Sequence, residues 1–380
     1  MHKEKMQSSE KISEKKPCNQ TIRALVFSSF VVLTACGGSG DDGGSVEALA
    51  DPSTENNRVA RLNNASTWMY QIQDLNAPAA VELLAATDYP MLVIEPGNNF
   101  DEETGNYDTP AILDSLRTAP DGTERLILAY VDIGEAEDYR DYWQNDWVAP
   151  DPDNGIEGSP DFLITVDPDG WSGNFPVAYW RPEWQDMWTG ENGIIKKLAS
   201  LGFDGIYMDW VEAYDDETVR SFAAGDGIND PDEEMVIFIE RLRAAGRSVT
   251  RDFLVVAQNA PYLIDYDDEN NTSRYTDTID AMAVEDTWFY GEGDAEWDDT
   301  VKAVGDLFGD ERHEGDFSTA NRLTKYAEYQ NKGLPVFSID YSVNNVNVQQ
   351  IYSDARVAGL IPLVTQVSLA RVTETPPEDF

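Results

Sequence analysis

Eight short runs rich in Val, Ile, Tyr, Phe or Leu punctuate the chain, mostly separated by segments whose apolar residues recur at helical spacing. The runs are Thr67 to Gln73, Met91 to Glu95, Leu126 to Ile133, Gly205 to Trp210, Phe253 to Asn259, Ala281 to Thr287, Pro335 to Tyr341 and Leu360 to Gln366. Helical segments include Ala77 to Ala86, Pro110 to Ala119, Asn192 to Leu201, Glu234 to Ala245, Thr319 to Lys332 and Val348 to Ala358. Around Leu198 and Leu201 the unit repeats in full: an apolar helix face, a Gly stop at Gly202, then Phe203 leading to the next strand. Strands alternating with helices predict a parallel sheet, and eight units in roughly 310 residues fit one (β/α)8 barrel better than two doubly wound domains. The expected class is α/β, a single TIM barrel with a long loop after strand 3.

The longest connections, Gly134 to Gly202 and Val211 to Phe253, leave the C-terminal ends of strands, where a barrel builds its active site. The first holds Trp143, Trp147, Trp171, Tyr179, Trp180, Trp184 and Trp188. Such rings can form platforms for the C–H faces of sugars or a satellite core under a long loop, and the sequence leaves both open.

Ahead of the barrel, residues 1–23 carry six Lys or Arg, and Ala24 to Ala35 is an uncharged run of about 12 residues, too short to span a bilayer but suited to a signal-peptide core. It ends in Leu33-Thr34-Ala35-Cys36, which resembles a bacterial lipoprotein signal with Cys36 as the acylated first mature residue. The expected organisation is a signal peptide over 1–35, a flexible Gly/Ser/Asp tether over 36–62, the barrel over 63–373 and a C-terminal tail over 374–380. An Asp after the lipidated Cys commonly marks inner-membrane retention in Gram-negative hosts. Gly37 stands there, so an outer-membrane lipoprotein is expected, held only by its lipid anchor.

Composition narrows the chemistry. With 27 Lys plus Arg against 71 Asp plus Glu, a net charge of −44 is incompatible with a sequence-independent grip on phosphate backbones, and no nucleic-acid partner is expected. Cleavage before Cys36 would leave one His, one Cys and a net charge of −47. His313 sits in a hydrophilic stretch, so a Ser-His-Asp triad has no base, and zinc chemistry lacks its usual ligands. A carboxylate-bound cation is the main rival, yet Asp151-Pro152-Asp153-Asn154-Gly155 has its Gly one place early for a calcium loop, and neither metal nor cofactor is expected. Strand ends carry Glu95, Asp132, Glu135, Asp209, Glu285, Asp286 and Asp340, with Gln73, Asn259 and Gln366. Paired carboxylates remain, and their natural reaction is glycoside hydrolysis.

At these positions the sequence resembles glycoside hydrolase family 114, through Trp68-Met69-Tyr70-Gln71-Ile72-Gln73, Ile133-Gly134-Glu135-Ala136-Glu137 with Tyr139-Arg140, Tyr179-Trp180-Arg181-Pro182-Glu183-Trp184, Gly202-Phe203-Asp204-Gly205-Ile206-Tyr207-Met208-Asp209, and Gln258-Asn259. The resemblance covers nearly all of the chain after the tether. It implies a (β/α)8 barrel, endo-α-1,4-polygalactosaminidase activity, a nucleophile at Asp209 and an acid/base at Glu285. Val284-Glu285-Asp286-Thr287-Trp288 is less distinctive, and Asp286 competes for the acid/base role, although adjacent strand residues point to opposite faces.

Candidate substrate contacts are Tyr70, Asp132, Glu135, Tyr179, Trp180, Tyr207, Asn259, Trp288, Asp340 and Tyr341. Asp132, Glu135, Tyr139 and Arg140 equally fit a structural ion-pair cluster beneath the site. The leading expectation is a retaining hydrolase of a cationic amino-sugar polymer, drawn in by the acidic surface. That acidity equally fits adaptation to a saline habitat. The alternatives are a lipoprotein that binds polysaccharide on a barrel scaffold without cleaving it, and a hydrolase for another sugar.

Overall fold

The computed structural model describes residues 57–77, 79–97, 103–104, 107–168, 170–289, 318–342 and 345–380. Cys36, the export segment, nearly all of the expected tether, and His313 lie outside the described residues.

All eight apolar runs are strands of one sheet: β1 (Met69–Gln71), β2 (Met91–Ile94), β3 (Leu126–Asp132), β4 (Gly205–Asp209), β5 (Leu254–Gln258), β6 (Ala281–Glu285), β7 (Val336–Tyr341) and β8 (Ile361–Thr365). Each pairs in parallel with the next in chain order. Helices cover the outside, so the strands are buried on both faces and read as continuous apolar runs rather than alternating ones. The sheet curls into a nearly closed (β/α)8 barrel. Between β8 and β1, the Trp68 indole donates to the Ile361 carbonyl at 3.0 Å. The amides of Ile72 and Gln73 both donate to the Leu369 carbonyl at 3.1 Å.

Aromatic side chains fill the barrel. Tyr70 and Tyr207 have ring centroids 5.0 Å apart, with Trp68 5.5 Å from Phe337 and Tyr130 6.2 Å from Tyr70. At the N-terminal rim, Asp204 accepts the Ile127 amide at 2.8 Å and pairs with Arg58 at 2.6 Å and with Arg117. Asp280 repeats the device before β6, accepting the Val255 amide at 2.9 Å and pairing with Arg247 at 3.1 Å.

The fold begins earlier than the expected tether boundary allows. Arg58–Asn64 is a helix capped by the Asn57 side chain, with Leu62 fully buried and Arg58 reaching Asp204. The expected tail is packed as well: Tyr352 donates to the Thr375 carbonyl at 2.7 Å, and Arg356 to the Phe380 carbonyl at 2.8 Å. No helix among the described residues is long and apolar enough to cross a membrane.

The long connection after β3 is itself folded. Glu135–Glu137 pairs antiparallel with Asn174–Pro176, and the helices Pro182–Thr189 and Ile194–Leu201 follow. Most of its tryptophans pack into a cluster continuous with the barrel core. Trp143 and Trp147 have ring centroids 5.2 Å apart, Trp147 meets Phe162 at 5.2 Å, Phe162 meets Trp184 at 5.4 Å, and Trp184 meets Trp188 at 5.8 Å. Trp171 stands apart from this cluster and is largely exposed.

Candidate active site

Three consecutive strands, β4 to β6, end in the same way. Each is buried to its tip, ends in a polar residue, and is followed by a residue with positive φ: Trp210 (53°), Asn259 (57°) and Asp286 (54°). Left-handed backbone at non-glycine residues costs about 1–3 kcal/mol each and collects at functional sites. Here it turns the chain sharply outward just after Asp209, Gln258 and Glu285, leaving those side chains at the barrel mouth. The connection leaving β3 is seated closely against the first of these turns: a Cβ on Gly134 would collide with the Trp210 carbonyl.

Asp209 Oδ2 accepts from the Tyr130 hydroxyl at 2.7 Å, and Oδ1 accepts from the Trp210 amide at 2.8 Å and from Gln258 Nε2 at 3.0 Å. Glu285 Oε2 accepts from the same Gln258 Nε2 at 2.6 Å and from Asn259 Nδ2 at 2.8 Å, while Tyr341 donates to Oε1. One amide nitrogen thus bridges the two carboxyl groups. The oxygens that share it lie no more than about 5.6 Å apart.

Burial raises the pKa of both groups. For Glu285, burial together with the charge of Asp209 pushes it up to about 7, against the hydrogen bonds from Tyr341 and Asn259. For Asp209, burial is opposed by the hydrogen bonds from Tyr130 and Trp210, which favour the ionised form. The pair therefore combines a carboxyl able to hold a proton near neutrality with a carboxylate braced by neutral donors.

Asp286 faces a different environment. Its Oδ1 is buried without a hydrogen-bond partner, and its charge interacts with Asp340 and Arg322 as well as Glu285. Arg322, itself buried, donates to the carbonyl oxygens of Asp286, at 2.7 Å, and Glu285. It pins the turn after β6 and keeps Glu285 aimed at Gln258 and Tyr341.

The expected substrate contacts divide by place. Asn259 and Tyr341 hold Glu285 directly. Tyr70 and Tyr207 are fully buried within the barrel, and the Tyr70 hydroxyl donates to Gln258 Oε1 at 3.5 Å. Asp132 Oδ1 accepts the amides of Gly134, at 3.1 Å, and Glu135, at 2.8 Å, and so shapes the connection after β3. Glu135 accepts from Asn174 at 3.1 Å; burial and the neighbouring Asp167 push its carboxyl up to about 9.

Asp340 accepts the amides of Trp288, at 2.7 Å, and Phe289, at 2.8 Å, and so caps the turn after β6. Tyr179 donates to the Pro231 carbonyl at 2.7 Å, and Trp180 to Asp226 at 2.9 Å. Among the described residues no hydrogen bond joins Tyr179 or Trp180 to Asp209 or Glu285. Of the suspected ion-pair cluster, Arg140 is fully buried and pairs at 2.6 Å with both Glu95 and Glu137, not with Asp132 or Glu135.

Gln258 and Tyr130 are the residues that sequence reading missed as site members. Tyr130 lies two places before Asp132, and period-two alternation was the available signal. Among the described residues one trio, Asp265, Asp268 and Glu328, converges closely enough to hold a cation, but Lys325 already pairs with Asp265 and Glu328.

The model of glycoside-hydrolase family GH114 matches residues 50–379. An uncharacterized protein of Deinococcus radiodurans is 28% identical over 351 residues, covering 90% of this chain and 96% of its own. One from Thermotoga maritima is 25% identical over 312 residues, covering 80% and 81%. Among solved structures, Aspergillus fumigatus Ega3 in complex with galactosamine superposes with a TM-score of 0.50 at 17% identity, over 81% of this chain and 94% of that one. A variant of the glycoside hydrolase domain of PelA from Pseudomonas aeruginosa gives 0.51 at 14%, over 80% and 96%. At these identities the solved structures speak for the shared barrel.

Proposed function

The chain belongs to glycoside hydrolase family GH114, and from that premise we propose that it cleaves an α-1,4-linked, galactosamine-rich polysaccharide with retention of configuration, using Asp209 and Glu285. The observation that carries this reading is the Gln258 amide shared by the two carboxyl groups. A covalent mechanism uses a separation of about 5–5.5 Å, whereas inversion needs about 6.5–9.5 Å to admit a water. The bound set by Gln258 favours the covalent route.

In the first half-reaction Asp209 attacks the anomeric carbon while Glu285 gives its proton to the departing glycosidic oxygen. In the second, the Glu285 carboxylate takes a proton from water as that water attacks the same carbon, releasing Asp209. The raised pKa of Glu285 suits a group that must be protonated first and ionised next. The substrate class is supported by the net charge of −44, which would concentrate a polycation at the surface, and by the galactosamine held in the fungal structure of similar fold.

The test is to incubate the barrel domain with a panel of amino-sugar and neutral polysaccharides. Oligosaccharide release from the galactosamine polymer is expected; release from none, or from neutral polymers alone, contradicts the reading.

The Cys36 signal supports a lipid anchor in the outer membrane, with several acyl chains giving firm attachment. Replacing Cys36 with Ser should move the protein to the soluble fraction; continued membrane retention contradicts the anchor.

A further inference from the structure

Tyr139 and Trp171 are 47% and 62% exposed, the only largely exposed aromatic side chains among the described residues of a chain with 10 Trp, 17 Tyr and 14 Phe. They occupy the same end of one hairpin. Tyr139 follows the Glu135–Glu137 strand, Trp171 precedes the Asn174–Pro176 strand, and the Asp138 amide donates to the Gly173 carbonyl at 2.8 Å between them.

The backbone of Trp171 is held in place there. Its amide donates to Asp167 Oδ1 at 2.8 Å, its carbonyl accepts from the Asn174 amide at 3.4 Å, and the Asn174 side chain donates to Glu135. The hairpin also adjoins the reaction centre. It leaves β3 just after Asp132, which lies opposite Asp209 in the β3–β4 register, and the charges of Asp167 and Glu135 both interact electrostatically with Asp209.

A large ring exposed to solvent forgoes the burial that its neighbours in the same connection obtain, and it offers a flat π face in exchange. Sugar C–H faces pack on such a surface. The surroundings are acidic: Asp138, whose amide joins the two strands at this end, and Asp141 are both exposed, so a ring bearing a free ammonium group would be favoured over a neutral one.

We infer that this hairpin tip is an outer binding subsite, in which Trp171 with Tyr139 carries a pyranose ring of an amino-sugar polymer beyond the bond being cleaved. The inference rests on the polysaccharide reading proposed above.

Binding is measured in the Asp209→Asn background, where the polymer is not consumed, using a galactosamine oligomer and its N-acetylated counterpart as probes. Adding Trp171→Ala should weaken binding of the galactosamine oligomer about tenfold, Trp171→Phe should recover most of it, and the acetylated oligomer should bind more weakly to the parent. Equal melting temperatures would show that the exposed substitutions leave the fold intact. Affinity within about twofold of the parent for Trp171→Ala, a Phe variant as weak as the Ala variant, tighter binding of the acetylated probe, or no affinity for either probe overturns the subsite. Hydrolysis by the unmodified protein is scored separately. Trp171-dependent binding without cleavage would leave the subsite standing and remove the hydrolase reading, and cleavage with Trp171-independent binding would do the reverse.

Discussion

Strands β4 and β6 each have an acid at both ends, and the two ends of the barrel treat that acid in opposite ways. At the N-terminal rim, Asp204 is held by Arg58 and Arg117, and Asp280 by Arg247. Five residues further along each strand, at the mouth, Asp209 and Glu285 receive hydrogen bonds from amides and tyrosine hydroxyls, and no ion pair is found for either among the described residues. A cation beside a buried carboxylate discharges it and locks the geometry. Neutral donors orient a carboxylate while leaving its charge and its proton available for chemistry. A carboxylate on the same strand is thus a rivet at the rim and, on the proposed reading, a reagent at the mouth.

The sharpest way to break this contrast is to neutralise one member at the mouth. Asp209→Asn is nearly isosteric and should lower kcat by roughly 10⁴-fold or more with an unchanged melting temperature, because an amide cannot form the glycosyl intermediate. Substantial residual turnover would move the nucleophile elsewhere.

The next effect concerns the bridge. Gln258→Leu removes the donor common to both carboxyl groups and should cost about 10²-fold in kcat, the scale of losing a preorganised catalytic hydrogen bond. A loss confined to KM would make Gln258 a substrate contact only.

The rim should answer in stability instead. Asp204→Ala removes the carboxylate shared by Arg58 and Arg117, leaving Arg58 its pair with Asp252 and the Ile127 amide without its acceptor, and should destabilise the fold by about 3 kcal/mol in urea unfolding while the pH profile of activity stays the same.

The smallest effects are in pH. Activity should fall on the alkaline side with a midpoint of about 7 as Glu285 loses its proton, and on the acid side as Asp209 gains one. Glu285→Gln should flatten the alkaline limb. Tyr341→Phe removes a hydrogen bond to the ionised Glu285, so its pKa should rise and that limb should move to higher pH. An unmoved limb in both variants would transfer the acid/base role away from Glu285.

The barrel was legible because parallel strands buried on both faces must be unbroken apolar runs, and all eight runs are strands. Position at strand ends gathered seven acids, and only the resemblance to the family singled out Asp209 and Glu285, the two that Gln258 joins. Tyr130 was not legible, since a tyrosine within Leu126–Asp132 reads as core until the mouth is known. Gln258 was overlooked beside Asn259, whose positive φ turns the chain away just after the last strand residue. Arg322 was out of reach: a basic residue on a helix carries no mark that it will grip the backbone of a distant strand end. The tryptophans show the same limit, for nothing in their spacing separates the packed Trp184 from the exposed Trp171. Arg58 belongs to a short helix whose contact with Asp204 is tertiary and invisible to local pattern.

The central claim, that Asp209 and Glu285 act as a nucleophile and an acid/base pair across the shared amide, is tested most directly by proton NMR of the sugar first released from an α-1,4-linked galactosamine oligomer. Retention predicts that the α-anomer appears first and then mutarotates. Initial release of the β-anomer would mean inversion, and would contradict the assignment of Asp209 as the nucleophile.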